Sequence, residues 1–163
     1  MSQTPTYWRK LKLRLFEGAT AYAVILEREA RGEDLSRALT TAYSRYNWDL
    51  FELGPRNIAA MAERAIARAE IPSGVASAST QSLMERAKEL ERVQNLCNHP
   101  DKARREVWGL AHRRYDEALE AIGPRGLAEL VRCDLFPNKA IRAALEEDGQ
   151  IADESEGAAA PRA

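Results

Sequence analysis

The sequence has few of the side chains that carry most enzyme chemistry. Its 163 residues include only two cysteines and two histidines. They contain no glycine-rich phosphate loop, and no serine lies in the setting of a catalytic nucleophile. Carboxylates are numerous, but helical spacing places most of them on solvated faces. We therefore expect a protein that is not an enzyme and that needs no cofactor.

The scarcity of cysteine and histidine also limits disulfide and metal chemistry. Cys97 and Cys133 are too few for a disulfide framework, so we expect a reducing, cytoplasmic setting. A metal site that joins them to His99 and His112 matches no zinc spacing. The two histidines are 13 residues apart, which on one continuous helix separates them by about 220°. Buried, apolar cysteines are the better interpretation, and we predict no metal site.

Long apolar runs and a strong charge of one sign are absent as well. No run is long enough to cross a bilayer, and the N-terminal residues lack the apolar core of a signal peptide. The formal net charge is −1, and residues 146–163 hold six acids and one base, which leaves 23 bases against 19 acids in residues 1–145. That excess is smaller than the basic footprint of an obligate nucleic-acid binder. Abundant Ala, with Arg preferred over Lys, is typical of a GC-rich bacterial genome or of its phages and plasmids.

What the sequence does contain is an internal repeat with a constant offset of 69 residues. Both copies consist of an Arg-Tyr pair, seven intervening residues and a Gly-Pro-Arg triplet. They are Arg45-Tyr46 with Gly54-Pro55-Arg56, and Arg114-Tyr115 with Gly123-Pro124-Arg125. Glycine ends helices in the left-handed conformation, and proline is tolerated at the first position of the next helix. We predict two helix–Gly-Pro-Arg–helix hairpins, over residues 34–69 and 103–138, that pack together about a pseudo-two-fold axis with both repeat tyrosines buried and hydrogen bonded.

Apolar residues at helical spacing also fill the N-terminal part of the chain. From Trp8 to Ala30 they predict one long helix, which starts at Thr4 and Pro5. Residues 11–15 alternate strictly between apolar and basic side chains, as a strand would. We favour the helix because the sequence offers no partner strand.

Capping and turn residues divide the rest of the chain into further helices. Asp34 is the predicted N-cap of the second helix, and Ser79 or Thr80 is the predicted N-cap of the helix that leads toward the second copy. Residues 47–49 and 98–101 contain Asn and Asp and are potential helix breaks. The sequence therefore predicts an all-α bundle of six or seven helices.

The predicted domain organisation is simple. Residues 1–148 form a single helical domain, with a small-residue linker at residues 72–80 between the two copies. The last short helix is predicted around Ile141 and Leu145. Residues 149–163 are acidic, rich in alanine and without apolar periodicity, so we predict a disordered tail.

The tetrapeptide His99-Pro100-Asp101-Lys102 lies between two predicted helices. It resembles the loop of the J-domain co-chaperone family, in which the same tripeptide contacts an Hsp70 partner, and the resemblance covers roughly residues 81–122. It implies that these residues bind such a chaperone. The bases that the family carries on its preceding helix are here balanced by acids, and the family's first helix has no counterpart. Capping of the following helix by the same residues is the alternative interpretation.

Basic side chains supply further candidates for interaction. A basic cluster interleaved with Trp8 and Leu11 could hold phosphate groups, or it could form a solvated rim around the buried stripe; it consists of Arg9, Lys10, Lys12 and Arg14. Arg56 and Arg125 each place a cation at the positive end of a helix, which is mildly unfavourable. Each of the two either locks its corner by binding an acid or a carbonyl group, or binds a partner.

These patterns favour an accessory or assembly protein that acts through helix-mediated contacts with a protein partner or with copies of itself. Association with nucleic acid is the alternative class, and an Hsp70 co-chaperone is the third. We expect no association with a membrane.

Overall fold

A computed structural model of the protein describes residues 4–68 and 77–136. Within those ranges the chain forms four α-helices, one 3₁₀ turn at Gln94–Leu96 and no strand. The helices are α1 (Pro5–Ala30), α2 (Ser36–Ala67), α3 (Ser77–Val93) and α4 (Lys102–Leu135). The all-α prediction is confirmed. Linker residues 72–76, the short helix predicted around Ile141 and the predicted acidic tail lie outside the described residues.

Helix α1 begins and ends where the sequence predicts. The Thr4 hydroxyl accepts a hydrogen bond from the Tyr7 amide at 3.2 Å, and Pro5 occupies the first turn. Helical geometry continues through residues 11–15, so the strand alternative is wrong. Leu11 and Leu15 are both buried, and their spacing of four residues places them on one helix face. The helical stripe therefore decides the conformation.

Each Gly-Pro-Arg corner is a kink inside a helix. Gly54 has φ 79° and ψ 162°, and Gly123 has φ 71° and ψ 169°. The predicted positive φ is confirmed, but the glycines are extended and not in the left-handed helical region. The following proline is the cause, because its ring disfavours helical ψ values in the residue before it. The chain thus resumes the helix after each glycine, and the expected hairpins are bends within α2 and α4.

Three predicted boundaries need correction. Helix α2 is capped at Leu35 and not at Asp34, although the Asp34 carboxylate still accepts a hydrogen bond from the Ser36 hydroxyl at 2.8 Å. Residues 47–49 do not break α2, because burial of one helix face outweighs the weak turn preference of Asn and Asp. Helix α3 has already begun at Ser77, so no cap forms at residues 79–80.

One hydrophobic core joins all four helices. Each contributes a fully buried side chain, namely Leu15, Met61, Leu83 and Leu130. Helices α1 and α3 each pack against both α2 and α4, and within the described residues α1 and α3 do not touch. The molecule is therefore a helical bundle in which α1 and α3 occupy opposite corners.

Seven of the nine buried positions of α2 recur as buried positions of α4 at the repeat offset; the exceptions are Leu50 and Ala65, which fall on partly buried Leu119 and Asp134. The α2 residues concerned are Tyr46, Asp49, Leu53, Ile58, Ala59, Met61 and Ala62. They fall on Tyr115, Ala118, Ile122, Leu127, Ala128, Leu130 and Val131. At these positions both copies have an apolar side chain or alanine, with one exception. Buried Asp49 of the first copy is equivalent to Ala118 of the second. The pseudo-two-fold arrangement itself stays a prediction.

Candidate interaction surface

The outer side of α2 carries aromatic side chains that the bundle does not cover. Trp48 is 63% exposed and Phe51 is 78% exposed. Tyr43, two turns before Phe51, is half exposed, and its ring packs edge-on against Tyr22 of α1. The rings of Trp48 and Phe51 lie against each other, with centroids 6.1 Å apart and planes tilted by 35°. The two rings form an apolar knob that projects into solvent.

The helical repeat explains why this knob faces outward. Tyr46, Leu50 and Leu53 fill the inner side of α2 and are buried in the core. With about 100° of rotation per residue, Trp48 and Phe51 fall on the opposite side. Neither ring can reach the core without turning the whole helix over.

The stretch of α2 that leads up to the knob carries little charge. Within residues 38–51 the charged side chains are Arg45 and Asp49, and Asp49 is buried. The equivalent segment of the second copy, residues 107–120, contains five charged side chains. They are Arg113, Arg114, Asp116, Glu117 and Glu120. We refer to the exposed side chains of residues 40–51 on α2 as the aromatic face.

A polar cluster around the buried carboxylate of Asp49 fixes this part of α2 to α1. The Arg14 guanidinium donates from Nε to Asp49 Oδ1 at 2.9 Å and from Nη2 to Glu52 Oε2 at 2.8 Å. The Tyr7 hydroxyl donates to Glu52 Oε1 at 2.7 Å. No described residue reaches the buried Oδ2 atom of Asp49. The aromatic face is therefore presented on a helix that is held by directional, charged hydrogen bonds.

A shallow groove of about 810 Å³ extends the same side of the molecule, between α1 and the first half of α2. Ile25, Ala38 and Ala42 are among the small or apolar residues that line it. Arg37 and Arg45 line it too, and neither forms an ion pair with a described residue. The groove adds apolar surface close to the aromatic face.

The N-terminal candidates are only partly free. Lys12 forms an ion pair with Asp134 at 2.6 Å, and Arg64 binds the other oxygen of that carboxylate at the same distance. Trp8 packs edge-on against Tyr7 and lies partly against the core. Arg9 is exposed, and no described residue pairs with it. The predicted basic cluster therefore offers two of its four cations, Arg9 and Lys10, because Lys12 pairs with an acid of α4 and Arg14 pairs with acids of α2.

The two repeated arginines have different surroundings. Arg125 reaches α1 and binds the Glu27 carboxylate, with Nη2 at 2.7 Å. Arg56 is exposed, and no described residue forms an ion pair with it. The position equivalent to Glu27 at the repeat offset is Leu96, which cannot accept a hydrogen bond through its side chain. Arg125 thus locks its corner, whereas Arg56 is available to a partner.

The loop that precedes α4 is organised by its own hydrogen bonds. Asp101 is the N-cap, and its Oδ1 accepts from the Ala103 amide at 3.1 Å. His99 Nδ1 accepts from the Asp101 amide at 3.0 Å. Arg105 donates to the carbonyl oxygens of His99 and Pro100, at 2.7 and 2.8 Å. Helix capping therefore accounts for the positions of all three loop residues.

Sequence reasoning missed the aromatic face. Trp48 attracted notice only as part of a potential helix break, and Phe51 drew none, because a single copy of a helix does not reveal which apolar residues stay outside. A comparison of the two copies could have identified the aromatic face. Trp48 and Phe51 are equivalent to Glu117 and Glu120 at the repeat offset. Glutamate at these positions in the second copy indicates that they face solvent.

Comparison with known protein families, with curated proteins and with solved structures finds no match to this chain. In residues 4–68 and 77–136, no three His, Cys, Asp or Glu side chains come together in a group that could hold a metal ion. None of the described helices is long and apolar enough to span a membrane.

Proposed function

We propose that this protein is a non-enzymatic accessory or assembly protein that works through helix-mediated protein contacts, in the cytoplasm of a bacterium or in the context of a phage or plasmid. The observation that carries the proposal is the aromatic face, with Trp48 and Phe51 held outward on a helix that charged hydrogen bonds fix in place. Exposed aromatic side chains in a charge-poor patch have the composition of a protein interface core.

Magnitudes support this interpretation. The exposed parts of Trp48 and Phe51 amount to roughly 300 Å² of apolar surface. Removing that area from water is worth on the order of 7 kcal/mol before the costs of association. Trp is also among the residues that most often carry binding energy in interfaces. Covering this surface with another protein would therefore contribute a favourable free energy of association.

We further propose that the two halves of the chain arose by duplication and that only the first half retained or acquired the aromatic face. The ungapped offset of 69 residues, the shared kink geometry and the matching burial in α2 and α4 support this. In that arrangement α1 corresponds to α3, and α2 corresponds to α4. The second half then serves as an internal control for the first, because it has the same kink geometry and a charged surface at the equivalent positions.

Photo-crosslinking tests the proposal with this control. One variant carries p-benzoylphenylalanine in place of Phe51, and a matched variant carries it in place of Glu120. Both are full-length and are irradiated in cells that express them. We expect a discrete protein adduct from position 51 and none from position 120. Equal adducts from both positions, or none from either, would overturn the proposal.

The two other classes keep less support. For nucleic acid, Arg9 and Arg56 are free of described partners, but Lys12 and Arg14 are held in ion pairs within the bundle. A filter-binding assay on duplex DNA, with the salt dependence of its affinity, tests this class. For a co-chaperone, the test is stimulation of Hsp70 ATP turnover by the full chain and its loss in Asp101→Asn.

A further inference from the structure

We infer that the partner of the aromatic face is a second copy of this chain, so that α2 of one protomer packs against α2 of the other in a two-fold symmetric dimer. This inference rests on the proposed function, because it names the occupant of the same surface. In a two-fold interface each patch meets its own copy, so the patch must be compatible with itself. The aromatic face meets that requirement in charge and in area.

The charge argument comes first. Two identical charged patches repel each other, and like charges brought together across an interface are strongly unfavourable. Among the exposed side chains of residues 40–51 the ionised one is Arg45, and it lies toward the groove and not beside Phe51. Glu52 follows one turn after Trp48, and its charge is offset by the ion pair with Arg14. The equivalent side of α4 presents Glu117 and Glu120 together with Arg113, which falls on Ser44. Self-pairing through α2 therefore meets little charge, whereas self-pairing through α4 would have to desolvate three ionised groups on each copy.

The area argument comes second. A stable interface buries about 800 Å² on each partner, of which roughly 60% is apolar. Trp48 and Phe51 supply roughly 300 Å² of this, which is more than half of the apolar share. Tyr43 lies at the edge of the face, about 80° around the helix from Phe51, and its ring packs against Tyr22 of α1. The uncharged side chains of Thr40, Ser44 and Asn47 lie between or beside the rings of the face and can form the polar rim.

The geometry also suits a symmetric pair. The knob lies midway along α2, more than two turns from its N-terminal end and just before the kink at Gly54. An antiparallel pair of α2 helices about a two-fold axis would bring Trp48 and Phe51 of both protomers to the centre. Aromatic anchors at the centre, ringed by less critical contacts, are the usual arrangement of a strong interface.

Sedimentation or light scattering on the purified full chain tests the inference. We expect the mass to rise from 18.2 kDa toward twice that value between about 1 and about 500 µM protein. The double variant Trp48→Glu/Phe51→Glu, which installs the residues of the second copy, should raise the dimer dissociation constant by at least about a hundredfold. The matched control Glu117→Ala/Glu120→Ala should dimerise as the wild type does. Phe51→Gln alone should weaken the dimer by a smaller factor.

The outcomes separate the inference from the proposed function. A chain that stays monomeric throughout the concentration range overturns the inference, as does a dimer that the double variant leaves unchanged. Mass spectrometry of the crosslinked adduct at position 51 then identifies the partner of the aromatic face. An adduct with the mass of two chains supports the inference. An adduct with a different protein overturns it and supports the proposed function, and the absence of any adduct overturns both.

Discussion

Gly54 and Gly123 lie 69 residues apart and adopt the same backbone conformation, with φ of 79° and 71° and ψ of 162° and 169°. Only glycine populates this region readily, because a Cβ atom there collides with the residue's own backbone. Open space surrounds the position that a Cβ atom would occupy in both residues. The requirement for glycine therefore comes from the backbone and not from packing.

We predict that Gly54→Ala and Gly123→Ala each lower the free energy of unfolding by about 1–3 kcal/mol. Gly109→Ala is the matched control, since Gly109 also has open space around it but lies in regular helix within α4. That change should raise the free energy of unfolding by about 0.5–1 kcal/mol. Chemical denaturation measures all three. If both corner variants proved as stable as the wild type, the extended glycine conformation would be wrong.

A second prediction concerns the buried tyrosines of the repeat. Both Tyr46 and Tyr115 have buried rings, and burial raises the pKa of each hydroxyl. The expected hydrogen bond is missing at Tyr115, whose hydroxyl has no partner among the described residues. Burying an unpaired hydroxyl costs about 1–3 kcal/mol, so Tyr115→Phe should leave the free energy of unfolding unchanged or raise it by about 1 kcal/mol.

Tyr7→Phe is the comparison for this tyrosine experiment. It removes a hydroxyl that does donate to Glu52, at 2.7 Å. We expect a loss of about 1 kcal/mol from that change. A clear loss of stability in Tyr115→Phe would show that its hydroxyl has a partner after all.

The third prediction concerns the dependence of stability on pH. Burial raises the pKa of Asp134, but hydrogen bonds from Arg64 and Lys12 outweigh burial and lower the pKa below its ordinary value. A carboxyl group with a lowered pKa in the folded state stabilises the fold above its unfolded pKa of about 3.9. That contribution is lost as pH falls through the folded pKa.

The difference in free energy of unfolding between wild type and Asp134→Asn should therefore be present at pH 7, at about 1–3 kcal/mol, and should shrink as the pH falls below about 4. Denaturant titrations between pH 7 and pH 2 measure it. Glu106→Gln is the control, because Glu106 is exposed and 3.8 Å from Lys102. A constant difference at all pH values for Asp134→Asn would contradict the assigned ion pair.

The fourth prediction separates the two repeated arginines. Arg125→Ala should lower the free energy of unfolding by roughly 0.2–1 kcal/mol, because the ion pair with Glu27 is exposed. Added salt should reduce that loss. Arg56→Ala should leave stability unchanged, and the two variants should be compared by denaturation at low and high ionic strength. Equal losses would mean that both corners are locked in the same way.

The fold could be predicted from the sequence to the extent that local rules decide it. Helical spacing and the Thr4-Pro5 start determined α1, and the Gly-Pro dipeptides located both bends, because proline restricts the residue before it whatever the tertiary context. The ends of α2 and α3 were less predictable. Asp34 and Ser79 are good caps by type, but helix ends depend on packing beyond the first turn.

The candidate site could not be predicted in the same way. The sequence by itself determined that the chain is helical, that it repeats, and that it has little chemistry for catalysis or metals. Only the tertiary structure decided which of the two copies leaves aromatic rings exposed. It also decided that Arg125 pairs with Glu27 and that Lys12 pairs with Asp134 between two helices of the bundle. The physical reason is that exposure and pairing depend on neighbours distant in sequence. Glu27 lies 98 residues from Arg125, and the side of α2 that faces outward is fixed by what α1, α3 and α4 cover.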